Sequence, residues 1–494
     1  MELKDKMIKF EEWQKRLSAF RLAFGIMGVD QTAVPPSQGS LYRAEMSSIL
    51  HGEYRKILQD EEMYKIITDL SEEKDLDDKL AREVFLYKRQ LDKERSVPRE
   101  EYMAYSRLLD ASSIDWLRAK KEEDYYGYAP KLQALIDGYK RIKSQEKGDL
   151  SLYDKMLDDH QPGWNMARYD VFFNHVKERL VPLIRESVKR PQPDRSFLNG
   201  SYPVHGQRRV MRKVCSMIGF TEDWGRISES EHPLTSCLSK GDVRFTTKYR
   251  LDDPSKAILS TVHESGHAWF GHNVDKDYDG SIIAGSISSG LHESQSRLCE
   301  NHFGRSYAFW EMVLPLLKEE FPDQLGEIEL DTFMAALDSI RPSLVRTEAD
   351  EVTYPIHIMI RYEMEKAMFE GDLKASDLDK VWSDKYFEYL GIRPEKPSEG
   401  VLQDMHWPSG YFGYFPTYAL GSAMAAQFCH AMREEIDPDG LIRAGKYTDI
   451  MKWLEEHVHR YGNFIEVDEI LTRVSGEPFN DEYYFRYLEE KYRY

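Results

Sequence analysis

Cysteine is scarce in this chain of 494 residues: there are four, Cys215, Cys237, Cys299 and Cys429. None stands in C-x-x-C spacing, so they suggest neither a thiolate zinc site nor a disulfide framework and fit a reducing, cytoplasmic home. Basic charge is also in short supply, with 67 Lys and Arg against 86 Asp and Glu and a formal net charge of -19. Nucleic acid and anionic membrane surfaces both demand a basic face, so neither is expected as a partner. No Gly/Ser-rich spacer, low-complexity tract or internal repeat divides the sequence, and it reads as one large globular unit over 1–494. The start, Met1-Glu2-Leu3-Lys4-Asp5-Lys6, is charged and lacks the apolar run of a signal peptide. The most apolar stretch, Tyr411 to Phe428, is interrupted by Pro416 and rich in tyrosine. It reads as buried core and groove wall, not as a membrane span.

Helical periodicity fills residues 1–185. Phe10, Trp13, Leu17, Phe20 and Phe24 recur at spacings of three and four and draw one apolar stripe. Val34-Pro35-Pro36-Ser37 ends that helix, and further helices are expected near 40–70, 75–95, 98–121 and 130–147. One convincing strand follows: in Asp242 to Arg250, Val243, Phe245, Thr247 and Tyr249 alternate with polar residues. A strand directly before a catalytic helix reads equally as a structural hairpin or as a substrate-binding edge. Beyond residue 300 helices resume, and the last sixty residues read as exposed helices.

Between that strand and those later helices lies Thr261-Val262-His263-Glu264-Ser265-Gly266-His267, an H-E-x-x-H sequence. On a helix, residues i and i+4 share a face, so His263 and His267 can reach one metal ion together, with Glu264 beside it as a base. Asp253-Pro254 supplies an N-cap before a proline at the first helical position, and Gly271 reads as the stop. Catalytic zinc sites keep three protein ligands and one open position. In the helix-compatible run Leu291-His292-Glu293-Ser294-Gln295, Glu293 is the natural third ligand. A His2Glu set leaves a place for water and lowers its pKa to about 7.

Together these motifs resemble the carboxypeptidase Taq family of metallocarboxypeptidases. The pair His263-Glu264-Ser265-Gly266-His267 and His292-Glu293-Ser294-Gln295 is similar to the family's metal motifs. D-x-R-x-T is met by Asp242, Arg244 and Thr246, and G-x-x-Q-D-x-H-W by Gly400, Gln403, Asp404, His406 and Trp407. The family's H-P-F stands here as His232-Pro233-Leu234, and its I-R-x-x-A-D as Val345-Arg346-Thr347-Glu348-Ala349-Asp350. The resemblance implies a mostly helical fold with a small β-sheet lining a deep active-site groove. Residues 1–185 would form one groove wall, and 186–494 would carry the metal site. It further implies a catalytic zinc ion, replaceable by cobalt, a homodimer, and removal of single residues from peptide C-termini.

Roles follow from that chemistry. Glu264 would take a proton from water and pass it to the leaving amine. His406 and Tyr418 are the candidates to stabilise the oxyanion, with Tyr411 and Tyr414 competing for the tyrosine's role. Arg346, whose planar fork suits a carboxylate, is the expected clamp for the peptide's free C-terminus. An ion pair of Arg346 with Glu348 or Asp350 is its structural alternative. His232, Asp242, Arg244 and Gln403 resemble groove residues of the family and are expected to support substrate binding, whereas His272, His292, His302 and His357 read as structural. Arg297 follows Glu293 by four residues, where related zinc peptidases carry an acid, so the partner of the first histidine must come from elsewhere. An internally cutting oligopeptidase and a non-catalytic peptide-binding scaffold remain as alternatives.

Overall fold

The computed structural model describes residues 1–32, 39–286 and 288–492. The expected break at Val34-Pro35-Pro36-Ser37 lies outside the described residues. The first half is helical throughout, with helices Leu3–Thr32, Ser40–Leu58, Glu61–Ser71, Asp78–Ser96, Arg99–Glu122, Tyr125–Gln145, Leu152–His160 and Met166–Ser187. The single helix expected over 40–70 is two, because Asp60 leaves the helical conformation and its carboxylate caps the amides of Glu62 and Met63. The stripe on the first helix is half right: Phe10, Trp13 and Leu17 are buried against Ile67, Leu70, Val84 and Tyr87, while Phe20 only flanks this cluster. Burying each such side chain contributes about 1.5–3 kcal/mol.

A second, larger apolar cluster runs from Tyr105 to Tyr492 and draws on every later helix pair. The N-terminal helices are stitched to it through backbone carbonyls: Trp116 Nε1 donates to Leu402 O at 3.0 Å, Lys120 Nζ to Gln403 O at 2.8 Å and Arg82 Nε to Asn463 O at 2.8 Å. The last sixty residues are helical as expected but not exposed. Ile470, Leu471, Phe485 and Leu488 are fully buried, because each of these helices turns one apolar face inward.

The sheet has three strands, β1 (Gly225–Glu229), β2 (Thr235–Ser239) and β3 (Asp242–Thr247), in the order β1-β3-β2. β3 runs parallel to β1 and antiparallel to β2. The strand read from sequence is therefore the centre of the sheet, paired on both sides, and cannot offer a free edge to a peptide. Its alternation was legible because Val243 and Phe245 are buried; β1 and β2 are short and half exposed, and leave little pattern. Among the described residues no helix is long and apolar enough to cross a membrane.

Candidate metal centre

The H-E-x-x-H helix spans Pro254–Asn273, with Asp253 as its N-cap accepting from the Ser255 amide at 3.0 Å and Pro254 in the first turn. It runs two residues past Gly271, the expected stop. The third-ligand helix spans Ser289–Arg297, capped by Ser288, whose hydroxyl accepts from the Leu291 amide at 2.9 Å. Two glycines let three helices close on one another here. A Cβ on Gly266 would lie 2.4 Å from the Gln295 carbonyl oxygen, and one on Gly421, in helix Pro416–Glu435, 2.8 Å from Glu293 Cβ. Glu293 is thus held between two helix backbones.

This packing brings His263, His267 and Glu293 together, with their ligand atoms all within 4.8 Å of one another. Glu293 Oε2 lies 3.8 Å from His263 Nε2 and 3.5 Å from His267 Nε2. Ligands about 2.1 Å from a tetrahedral ion stand about 3.4 Å apart, so two imidazole nitrogens and one carboxylate at these separations fit a divalent metal. Both imidazoles keep some exposure, 17% and 16% of the side chain, leaving an approach from solvent.

The surrounding groups orient this set. Glu300 Oε2 lies 2.8 Å from His263 Nδ1, which turns the other ring nitrogen toward Glu293. It sits in a π-helical turn, Leu298–Gly304, that widens the helix after Arg297. This is the acid that the sequence placed elsewhere. Arg297 donates to Glu293 Oε1 at 2.7 Å and to Glu300 Oε2 at 3.2 Å and stacks over Tyr354. Burial opposes ionisation of both carboxyls, yet Arg297 and the histidines outweigh it, holding Glu293 far below the usual range and drawing Glu300 down to about 2. His292, read as structural, has its Nδ1 2.6 Å from His267 Nδ1. Burial pushes its pKa down to about 3, so it is a neutral ring with a lone pair to offer.

Glu264 is buried, and its Oε2 accepts from Thr235 Oγ1, on β2, at 2.6 Å. β3 packs on the same helix nearer its start, where Thr247 Oγ1 donates to Ala257 O at 3.3 Å, but the strand that reaches Glu264 is β2, which left no sequence signal. The same geometry separates the other expected substrate residues. Asp242 and Arg244 pair with each other at 2.7 and 2.8 Å on the sheet face opposite Val243 and Phe245. His232 is exposed in the loop before β2, where its carbonyl accepts from Ser230 Oγ at 2.7 Å. Gln403 has its amide fully used: Oε1 accepts from the Arg346 amide and Arg361 Nη2, and Nε2 donates to Leu344 O and Glu399 O. It holds its neighbours and has no hydrogen bond to spare.

Arg346 is nearly buried and pairs with neither expected partner: Glu348 is taken by Arg250 and Lys256, and Asp350 caps Val352 and Thr353. Its Nε donates to Asp404 Oδ1 at 3.1 Å and its Nη1 to Tyr354 Oη at 3.3 Å, while its Nη2 donates to no group among the described residues. Asp404 also takes Arg361 at 2.5 Å. One carboxylate thus faces two guanidiniums, and a net positive charge remains, since burial keeps His357 and His406 neutral. The Arg346 guanidinium lies 5.1 Å from the Tyr418 ring. Tyr418 Oη is 3.1 Å from His406 Nε2, and its ring packs edge-on against Tyr414 at 5.2 Å. Burial first, with the Glu293 charge among the further causes, raises both tyrosines, Tyr414 to about 12.

Comparison with known proteins bears on the whole of this arrangement. The chain is 36% identical to carboxypeptidase 1 of Bacillus subtilis, over 100% of this chain and 99% of that protein. Among solved structures it resembles a carboxypeptidase of Pyrococcus furiosus (TM-score 0.95, 31% identity, 99% of both chains). The M32 carboxypeptidase of Deinococcus radiodurans is similar to the same degree (TM-score 0.95, 30% identity, 99% of both chains). The profile of a family described as carboxypeptidase Taq (M32) metallopeptidase matches residues 9–492, so the chain belongs to that family and is a metallocarboxypeptidase.

Proposed function

We propose that the chain removes single residues from the free C-terminus of peptides, with His263, His267 and Glu293 holding one divalent ion, zinc or in its place cobalt. When bound, such an ion supplies Lewis acidity to a carbonyl oxygen and to water. Glu264 is the proton carrier: it takes a proton from the attacking water and delivers it to the amide nitrogen that leaves. Thr235 fixes the rotamer of that carboxylate by its hydrogen bond to Oε2. Glu300 and His292 hold the two imidazoles with their Nε2 atoms inward.

The buried Nδ1 of His406 has no partner among the described residues, so Nε2, 3.1 Å from Tyr418 Oη, is the ring's one bonded nitrogen. With its proton on Nε2 the ring would donate to Tyr418 Oη and leave the Tyr418 hydroxyl proton for the oxyanion. In that tautomer His406 acts through Tyr418.

One observation carries the exopeptidase reading: the excess positive charge of the Arg346–Asp404–Arg361 cluster, with an Arg346 nitrogen left to donate, joined through Tyr354 to Arg297, which bonds Glu293. A terminal carboxylate completes that cluster; an internal peptide bond does not. Gln403 supports the clamp by holding Arg346 and Arg361, and Asp242, Arg244 and His232 are left to the walls farther from the metal. A homodimer is proposed on the family resemblance, with sedimentation velocity as its test.

The reading is tested by a mass-spectrometric time course on one mid-length peptide, supplied to metal-loaded enzyme with a free and with an amidated C-terminus. Single-residue losses from the free acid alone are expected. Internal cuts in both forms would replace the reading with an oligopeptidase, and no cleavage with metal bound would leave a binding scaffold.

A further inference from the structure

Glu365, on helix Tyr354–Phe369, is fully buried and takes no part in the chemistry above. Among the described residues no cation hydrogen-bonds to it, and the nearby Arg361 charge only partly offsets its burial. Its Oε1 accepts from Trp407 Nε1 at 2.6 Å, and its Oε2 accepts from the Gly413 amide at 2.9 Å and from Tyr153 Oη at 2.8 Å. Burying a carboxyl without a paired cation is costly, and a hydrophobic side chain of like volume would pack there without that cost.

What the carboxyl gains is position. Trp407 and Gly413 are the two ends of a turn whose flanking residues are His406 and Tyr414. Gly413 has φ of +78° and approaches so closely that a Cβ would lie 2.7 Å from the Met156 carbonyl. The turn is therefore pinned at both ends by one side chain and pressed at one end against the helix Leu152–His160. His406 on one flank bonds Tyr418, and Tyr414 on the other packs on it.

We infer that Glu365 is a positioning residue: through Trp407 and Gly413 it sets the register of the turn, and so the placement of the Tyr414 and Tyr418 hydroxyls. This rests on the reading that those hydroxyls face the reacting carbonyl. The three bonds survive in either protonation state, since a tyrosine hydroxyl donates or accepts alike. They do not survive conversion to an amide. The two N–H donors lie on different oxygens, so no orientation of a glutamine accepts both.

The test is Glu365→Gln, with Tyr153→Phe as a milder second variant that removes one donor and keeps both N–H bonds. Metal stoichiometry, kcat and KM are measured together with amide hydrogen exchange over 408–414 and over the helix 254–273. For Glu365→Gln the expected result is unchanged metal content, KM within about twofold, and faster exchange confined to 408–414. A fall in kcat of between about 10- and 100-fold accompanies it, as for a misplacement of about 1 Å. Tyr153→Phe gives the same pattern, smaller. Unchanged exchange at 408–414, or exchange rising equally in 254–273, overturns the inference. Faster exchange confined to 408–414 with unchanged kcat overturns it too. In that case Tyr418→Phe separates the two failures, because full activity there removes the tyrosine reading itself.

Discussion

His292 Nδ1 lies 2.6 Å from Nδ1 of His267, so one of two adjacent imidazoles must donate to the other. A metal on His267 Nε2 requires the proton on its Nδ1, which makes neutral His292 the acceptor. The first histidine leans on a carboxylate, Glu300, and the second on a neutral ring. His292→Ala should weaken zinc affinity by about 10- to 100-fold, read by competition with a chelator. Parent affinity in the variant would return His292 to a structural role.

Gly266 controls how close the two ligand helices come. In Gly266→Ala the new Cβ meets the Gln295 carbonyl oxygen at 2.4 Å, and backbone on both sides must give. Overpacking of this kind costs about 1–3 kcal/mol. Urea unfolding of the metal-free variant should show that loss, and metal affinity should fall with it because Glu293 moves.

Arg346→Ala should lower kcat/KM by about 10- to 100-fold, mostly through KM, as expected for a lost hydrogen bond to a charged group. Arg346→Lys restores charge without the planar fork, and only part of the rate should return. Steady-state kinetics on free-acid and amidated peptides checks this. An equal effect of Arg346→Ala on both would separate Arg346 from carboxylate recognition.

Burial raises the Glu365 carboxyl to about 7, whereas in the unfolded chain it titrates near about 4.3. The fold retains a proton that the unfolded chain releases. The group's contribution to stability is therefore full below about pH 4.3 and is lost as the pH climbs to 7, a loss of roughly 3 kcal/mol. Glu365→Gln should flatten that part of the stability profile, measured by urea unfolding at intervals across the range. An unaltered slope would assign the pH dependence to other groups.

The sequence made the ligands legible because metal chemistry demands a fixed local spacing: His263 and His267 are one helical turn apart, and Glu293 lies in the next helix with its own cap. Asp253-Pro254 located that first helix, and alternation located β3. What stayed hidden depends on tertiary structure. Glu300 reaches His263 only because the helix after Arg297 widens into a π turn, which a 3.6-residue period does not announce. Arg346 and Asp404 are 58 residues apart, and Glu365 and Trp407 are 42, so one sequence gives no sign that they meet. β2, with Thr235 against Glu264, is too short and too exposed to show alternation. The exposed reading of the last sixty residues failed for a related reason: their apolar positions cover neighbours far away in sequence, so their charged faces dominate the local composition.

The central claim is that Glu264 moves the proton at a metal site that it does not itself hold. Glu264→Gln keeps the shape of the side chain and removes the base. Metal content by mass spectrometry, together with kcat on a free-acid peptide, tests this in one preparation. The account predicts one ion per chain bound as in the parent, with kcat lower by about 100- to 10,000-fold. Turnover within tenfold of the parent, with the ion in place, would contradict it.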